Sequence, residues 1–321
     1  MSRVVKSFLA LAALVALPAL AKTDALSLIP NDAVSVGVVR VADLRTSPLS
    51  STLFEQTDKM STNGEADRFL SEAGLDPAKD VDVVVVSMSP RTNLGSEAEV
   101  LVAADGRFNV ERLTKALVAR GAVQKGAYYL LPEKDDHDGK QAAVAFPDNR
   151  LVLAGSESAV TEALANRANG GTAFLASSGL GRETSRIDTK ASAWAIIDVT
   201  RATRITGTPR VPSNNSSPQA QALSAAVKNV STVAVWATDT GDALKLAAFG
   251  IARDDETLGL LEDTLRGALA AMRLAVQDKA PDMVSVLRKF TVTRSNDAVS
   301  ISGTVPASEI RKLTAKQRAA K

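Results

Sequence analysis

Apolar positions along this chain switch repeatedly between strand and helix periods. Residues 34–41 are nearly continuous in β-branched side chains, the pattern of a strand buried in a sheet. Ser47-Pro48 then offers an N-cap followed by proline at the first helical position. The helical region it opens, broken at Thr62-Asn63-Gly64, runs to Ala73. Gly74 suits the left-handed residue that ends a helix, with Leu75 folding back onto the last turn. Strands are predicted at 81–87 and 99–104. Asn109 then caps a helix with Val110, Leu113, Leu117 and Val118 on one face, stopped by Gly121. Short strands at 128–131, 142–146 and 151–154 precede a closing helix over 157–167.

The same order of patterns is written a second time. Val81-Asp82-Val83-Val84-Val85-Val86 aligns with Val230-Ser231-Thr232-Val233-Ala234-Val235, and the second strand, 99–104, aligns with 244–252. Leu113 and Leu117 match Leu261 and Leu265, the turn Asp148-Asn149 matches Asn296-Asp297, and Gly155 matches Gly303. The opening strand 36–41 matches 195–199. This predicts an α+β protein made of two tandem ferredoxin-like (split βαβ) units, each with mainly antiparallel sheet, extra strands and a C-terminal helix. Repeat 1 spans 22–170 and repeat 2 spans 171–321, with the boundary at Asn169-Gly170-Gly171. The second unit departs from the first in a run of turn-forming residues, 205–218. Long loops in compact domains are often functional, so Arg210, Asn214 and Asn215 are candidate contact residues.

Two strings carry a family resemblance. Gly74-Leu75-Asp76-Pro77-Ala78-Lys79-Asp80-Val81-Asp82 before a valine strand, and the turn Leu44-Arg45-Thr46-Ser47-Pro48-Leu49 after the first strand, resemble duplicated, exported bacterial proteins of unknown function. The resemblance covers most of the chain in pattern and implies a bacterial, envelope-located protein. Its motifs are structural punctuation, so it supplies no active-site residues.

The N-terminus agrees with export. Arg3 and Lys6 precede an apolar run over 8–21 that is interrupted by Pro18 and ends in Ala19-Leu20-Ala21. Small residues at Ala19 and Ala21 form a signal peptidase site, predicting a signal peptide over 1–21, a mature start at Lys22 and a periplasmic or secreted location. A membrane-spanning helix needs about 20 apolar residues, and no later stretch reaches that, so the mature chain is predicted to have no transmembrane helix. The net charge of +2 lies wholly in the leader, and the mature chain has no basic excess with which to bind nucleic acid. The cations of the C-terminal run, Arg311, Lys312, Lys316, Arg318 and Lys321, suit the end of a last helix.

Composition removes whole classes of chemistry. The absence of cysteine excludes thiol catalysis, zinc-thiolate sites and iron–sulfur clusters. The single histidine, His137, lies in the charged hairpin tip Lys134-Asp135-Asp136-His137-Asp138-Gly139-Lys140, a poor place for a triad base. That loop partly follows a calcium loop, but Lys134 and Ala145 stand where the first carboxylate and closing glutamate belong. No Gly-x-Ser-x-Gly or Ser-x-x-Lys motif occurs, and Gly179-Leu180-Gly181 is too short for a phosphate cradle. Asp254-Asp255-Glu256 fits a helix start. Trp194 and Trp236 read as core packing.

No catalytic, cofactor-binding or metal-ligating residue is therefore assigned, and no cofactor is expected. The leading expectation is an exported, non-enzymatic binding protein of the bacterial envelope. Its partner would be another envelope protein, or a peptide taken up along a sheet edge. A periplasmic carrier of a lipid or other apolar small molecule, held between sheet and helices, is the alternative. A carboxylate-based hydrolase is a further one.

Overall fold

The computed structural model describes residues 24–45, 47, 65–90, 98–132, 141–171, 174–177, 179–206, 230–277 and 281–312. Residues 1–23 with Ala19 and Ala21, the residues Arg210, Asn214 and Asn215, the run 133–140 with His137 and residues 313–321 lie outside them.

The valine-rich runs become strands, but the first ends sooner than its apolar pattern. A 3-10 turn, Asp24–Leu28, leads to β1 (Ser35–Val39), and Val41 opens a short helix, α1 (Val41–Leu44), instead of extending the strand. Arg40 lies between the two: its N–H donates to Ser192 O at 3.0 Å and its guanidinium to Thr189 O at 2.8 Å. Helices α2 (Glu65–Ala73) and α3 (Pro77–Asp80) follow. Gly74 sits at φ +64°, and the Leu75 N–H returns to Leu70 O at 2.8 Å, the predicted helix stop. Strands β2 (Val81–Pro90) and β3 (Ala98–Gly106) form a long hairpin. Helix α4 (Val110–Ala119) begins where Asn109 Oδ1 accepts the Arg112 N–H at 3.0 Å. Then come β4 (Val123–Lys125), β5 (Tyr128–Leu130), β6 (Ala142–Ala145), β7 (Leu151–Ser156) and α5 (Glu157–Ala168). The expected boundary is a turn, with Gly170 and Gly171 both at positive φ.

Two short helices, α6 (Phe174–Ser177) and α7 (Gly179–Glu183), lead to β8 (Ala193–Asp198) and α8 (Val199–Thr206). Strands β9 (Val230–Asp239) and β10 (Ala243–Ala252) form the second long hairpin. Helix α9 (Asp255–Val276) is capped by Asp254, which accepts the Thr257 N–H at 2.7 Å. Helix α10 (Pro281–Leu287), β11 (Thr291–Arg294), β12 (Ala298–Pro306) and helical residues 307–312 complete the chain.

The twelve strands of the described residues join in one antiparallel sheet, ordered β11-β12-β10-β9-β8-β1-β2-β3-β7-β6-β5-β4. The α+β class and antiparallel sheet stand, but the split βαβ arrangement does not describe it. A single helical pass would return the chain to the start of β1 and make a parallel crossover. Instead the chain enters β2 beside the end of β1, with Val39 paired to Val84, so neighbours alternate in direction. The two long hairpins also lie in a common sheet, joined where β1 pairs with β8 through Gly37↔Ala195.

Outward from that joint the sheet reads the same way on both sides. One side runs β1-β2-β3-β7-β6 and the other β8-β9-β10-β12-β11. Both long hairpins slip register at their base: Asp82 is passed over between Val81↔Gly106 and Val83↔Asp105, and Ser231 between Val230↔Ala252 and Thr232↔Ile251. Counted from the caps, however, Leu113 matches Leu258 and not Leu261. Gly155 and Gly303 also differ. Gly155 is one residue from the end of β7, while Gly303 is inside β12, where a Cβ would stand 2.5 Å from the Phe290 ring.

One face of the sheet carries a core that crosses the joint without a break. Val38, Leu101, Leu153, Trp194, Ile196 and Phe249 pack there with Val160 of α5 and with Leu28, Phe174 and Leu180. The opposite face has three separate packs, the smallest being Ala202 and Ile205 of α8 with Val34, Met88 and Ile197. Phe108, Leu113 and Leu117 cover Val84, Val102 and Ala154 in the first half, and Leu258 and Leu261 cover Val230, Ala252 and Val299 in the second.

Candidate functional site

Between the packs beneath α4 and α9, and beyond the part covered by α8, the described residues leave the sheet open. Directly paired residues in adjacent strands share a face, and one row can be followed from end to end. It runs Val144, Ala154, Val102, Val86, Gly37, Ala195, Val235, Ala248, Ile301. Val144, Ala154 and Val102 are sealed beneath α4. From Val86 onward the row enters a groove of about 670 Å3. Val235, in the middle, is 47% exposed.

The groove is concave because its floor is made of small residues between larger ones. Gly37, Ala195 and Ala248 lie in the row just traced, and Ala193 pairs with Ala237 in the adjacent one. A Cβ placed on Gly37 would meet only that of Ala195, at 3.9 Å. Val39 and Val86 rise on the first-half side, while Leu246, Ile301 and Phe290 rise on the other. Phe290 is held by its seat over Gly303. The side chains of Trp194 and Trp236 point to the opposite face, where Trp194 is buried and Trp236 meets Phe249 edge-on at 6.1 Å. They are core residues, as their flanking pattern suggested, and contribute to the groove from beneath.

A polar cluster closes the joint next to the Val39–Ala193–Ala237 end of the groove. Ser47 donates to the Asp239 carboxylate, the Asp239 N–H donates to Ser192 Oγ at 3.0 Å, and Asp239 Oδ1 accepts the Gly241 N–H at 2.6 Å. Asp43, from α1, is 1% exposed. Burial pushes its carboxyl up to about 7; Arg40 and Arg45 pull it down, and Asp239 raises it further. Perturbed carboxylates often mark catalytic acids. This one is enclosed, and it lines neither the groove nor the polar hollow on the opposite face around Lys245 and Ser302.

Among the described residues, no group of three or more His, Asp or Glu side chains is placed to hold a metal ion. None of their helices is long and apolar enough to cross a membrane. The sheet edges are short: β4 has three residues and β11 has four. Asp254 serves as a helix cap, and Gly179-Leu180-Gly181 forms the start of the five-residue α7. The groove was not legible as a site because Gly37, Ala195 and Ala248 carry no chemistry. Only their alignment across the sheet makes them a floor.

No protein-family model matches the chain, and no curated protein matches it. Its fold is similar to crystal form III of TP0453, with a TM-score of 0.53 at 12% identity, over 92% of this chain and 99% of that one. Crystal form I of TP0453 superposes with a TM-score of 0.48 at 9% identity, over 92% and 98% of the two chains. At such identities the likeness concerns the fold.

Proposed function

We propose that this chain is an exported, non-enzymatic binding protein whose ligand is an elongated apolar small molecule, such as a lipid chain, lying in the groove over the sheet centre. The observation that carries the reading is the groove itself, about 670 Å3 with walls of Val39, Val86, Val235, Leu246, Ile301 and Phe290. Small-molecule sites commonly enclose about 300–1,000 Å3 and are lined by such residues. The groove is favoured over strand addition because edges of three and four residues offer few backbone hydrogen bonds. It is favoured over hydrolysis because Asp43, the one strongly perturbed carboxyl among the described residues, is shut away from it. Native mass spectrometry of gently purified protein tests the reading. A co-purified apolar adduct, absent from an Ala195→Phe variant, is expected; an adduct that survives the variant contradicts it.

The signal-peptide pattern of residues 1–21 supports export, and N-terminal sequencing of protein recovered outside the cytoplasm should begin at Lys22. Metal independence belongs to the same reading, so chelator should leave the melting temperature unchanged. The two halves are read as diverged copies related by a pseudo-twofold axis through Gly37↔Ala195. The shared outward strand order, the matching register slips at Asp82 and Ser231, and the capped helix after each long hairpin support this. A groove on such an axis is built by both copies.

A further inference from the structure

We propose that a cavity beneath α4 takes the end of the chain whose body lies in the groove, and so sets the length of alkyl chain the protein prefers. This rests on the reading of the groove as an apolar binding site. The cavity has a volume of about 40 Å3 and lies between α2, α4 and the sheet. Phe69 and Leu70 of α2 and Leu113 of α4 close it on one side, and Val84, Val102 and Ala154 form its floor. Every side chain that lines it is apolar, and a site without polar partners does not hold water. A chain end entering it therefore displaces nothing that is well bound.

The cavity and the groove are neighbours on one face of the sheet. The row of paired residues traced above runs through both: Val144, Ala154 and Val102 line the cavity, and Val86 begins the groove. A second pair joins them one row away, where Val39 of the groove pairs with Val84 of the cavity. Paired residues in adjacent strands stand about 5 Å apart, so the two voids abut along both pairs. Val39 and Val86 belong to each side, because they wall the groove and also pack against the cluster that contains Leu113 and Ala154. A chain lying across the strands from Ile301 toward Val86 points its end at the cavity. Size then limits what enters. An apolar cavity of about 150 Å3 admits benzene. One of about 40 Å3 suits a terminal methyl group and its neighbour, not a ring.

Nuclear Overhauser contacts from a saturated fatty acid, isotope-labelled at its terminal methyl, test this in the wild-type protein. The methyl should contact the methyls of Leu113 and Ala154, which line the cavity and not the groove. A terminal methyl that contacts only Val235 and Ile301 overturns the chain-end pocket and leaves the groove reading intact. A fatty acid that contacts neither set contradicts the groove reading, and the pocket with it. Two variants give a separate readout over a series of chain lengths. Ala104→Val narrows the cavity and should weaken the longest acids by about fourfold for each methylene excluded, while shorter acids keep their affinity. Leu113→Ala widens the cavity and should move the preferred length upward. A length preference identical in both variants and the wild-type protein overturns the pocket. If the variants do not fold, the wild-type contacts decide alone.

Discussion

The same row of paired side chains has two fates in this molecule. At Val144, Ala154 and Val102 it is roofed by Phe108, Leu113 and Leu117, and nothing in it is more than 7% exposed. At Gly37, Ala195 and Val235 the residues are equally apolar, the sheet is continuous, and the surface is open. Residue type is therefore not what separates core from site here. The difference is the cover, and an apolar surface left open where the sheet is otherwise roofed is where a ligand can recover the burial energy, about 25 cal/mol for each Å2 removed from water.

Substitutions should break the two regions differently. The largest effect is expected beneath α4, where Leu113→Ala should cost about 2–5 kcal/mol in urea unfolding because it leaves a cavity in a closed core. Asn109→Ala should weaken the same roof by about 1 kcal/mol through the lost helix cap. In the groove, Ala195→Phe should change stability by no more than about 0.5 kcal/mol, because its ring enters open space, while ligand binding is lost. The exposed pair of Arg186 with Asp297, at 2.6 and 3.1 Å, belongs to neither region. The Arg186 hydrogen bonds hold the Asp297 carboxyl below its usual value. Its contribution is therefore present above about pH 4 and lost as pH falls further. Arg186→Ala should cost no more than about 1 kcal/mol at neutral pH, with no effect on the groove.

Much of the fold was legible in the residues. The stop at Gly74, the cap at Asn109, both valine-rich hairpins and the turn at Gly170-Gly171 each follow from local chemistry acting over a few positions. Strand order was not, because the direction of β2 depends on how the connection 40–80 returns and not on any periodicity within it. The helix register between halves failed for a related reason. Leu258, Leu261 and Leu265 recur at helical spacing, so sliding α9 by three residues keeps an apolar match. Counting from the caps Asn109 and Asp254 fixes it. The site itself emerges only from cross-strand pairing, which brings Gly37 together with Ala195 and Ala248, both more than 150 residues further along the chain.

We propose the open stretch of the row as a binding site for an apolar molecule. Titration with the fluorescent apolar probe N-phenylnaphthylamine tests it most directly, with wild-type, Ala195→Phe and Leu113→Ala proteins compared below their melting temperatures. Saturable binding to the wild-type and Leu113→Ala proteins, lost in Ala195→Phe, is the predicted result. Binding that persists in Ala195→Phe, or is absent from the wild-type protein, would contradict it.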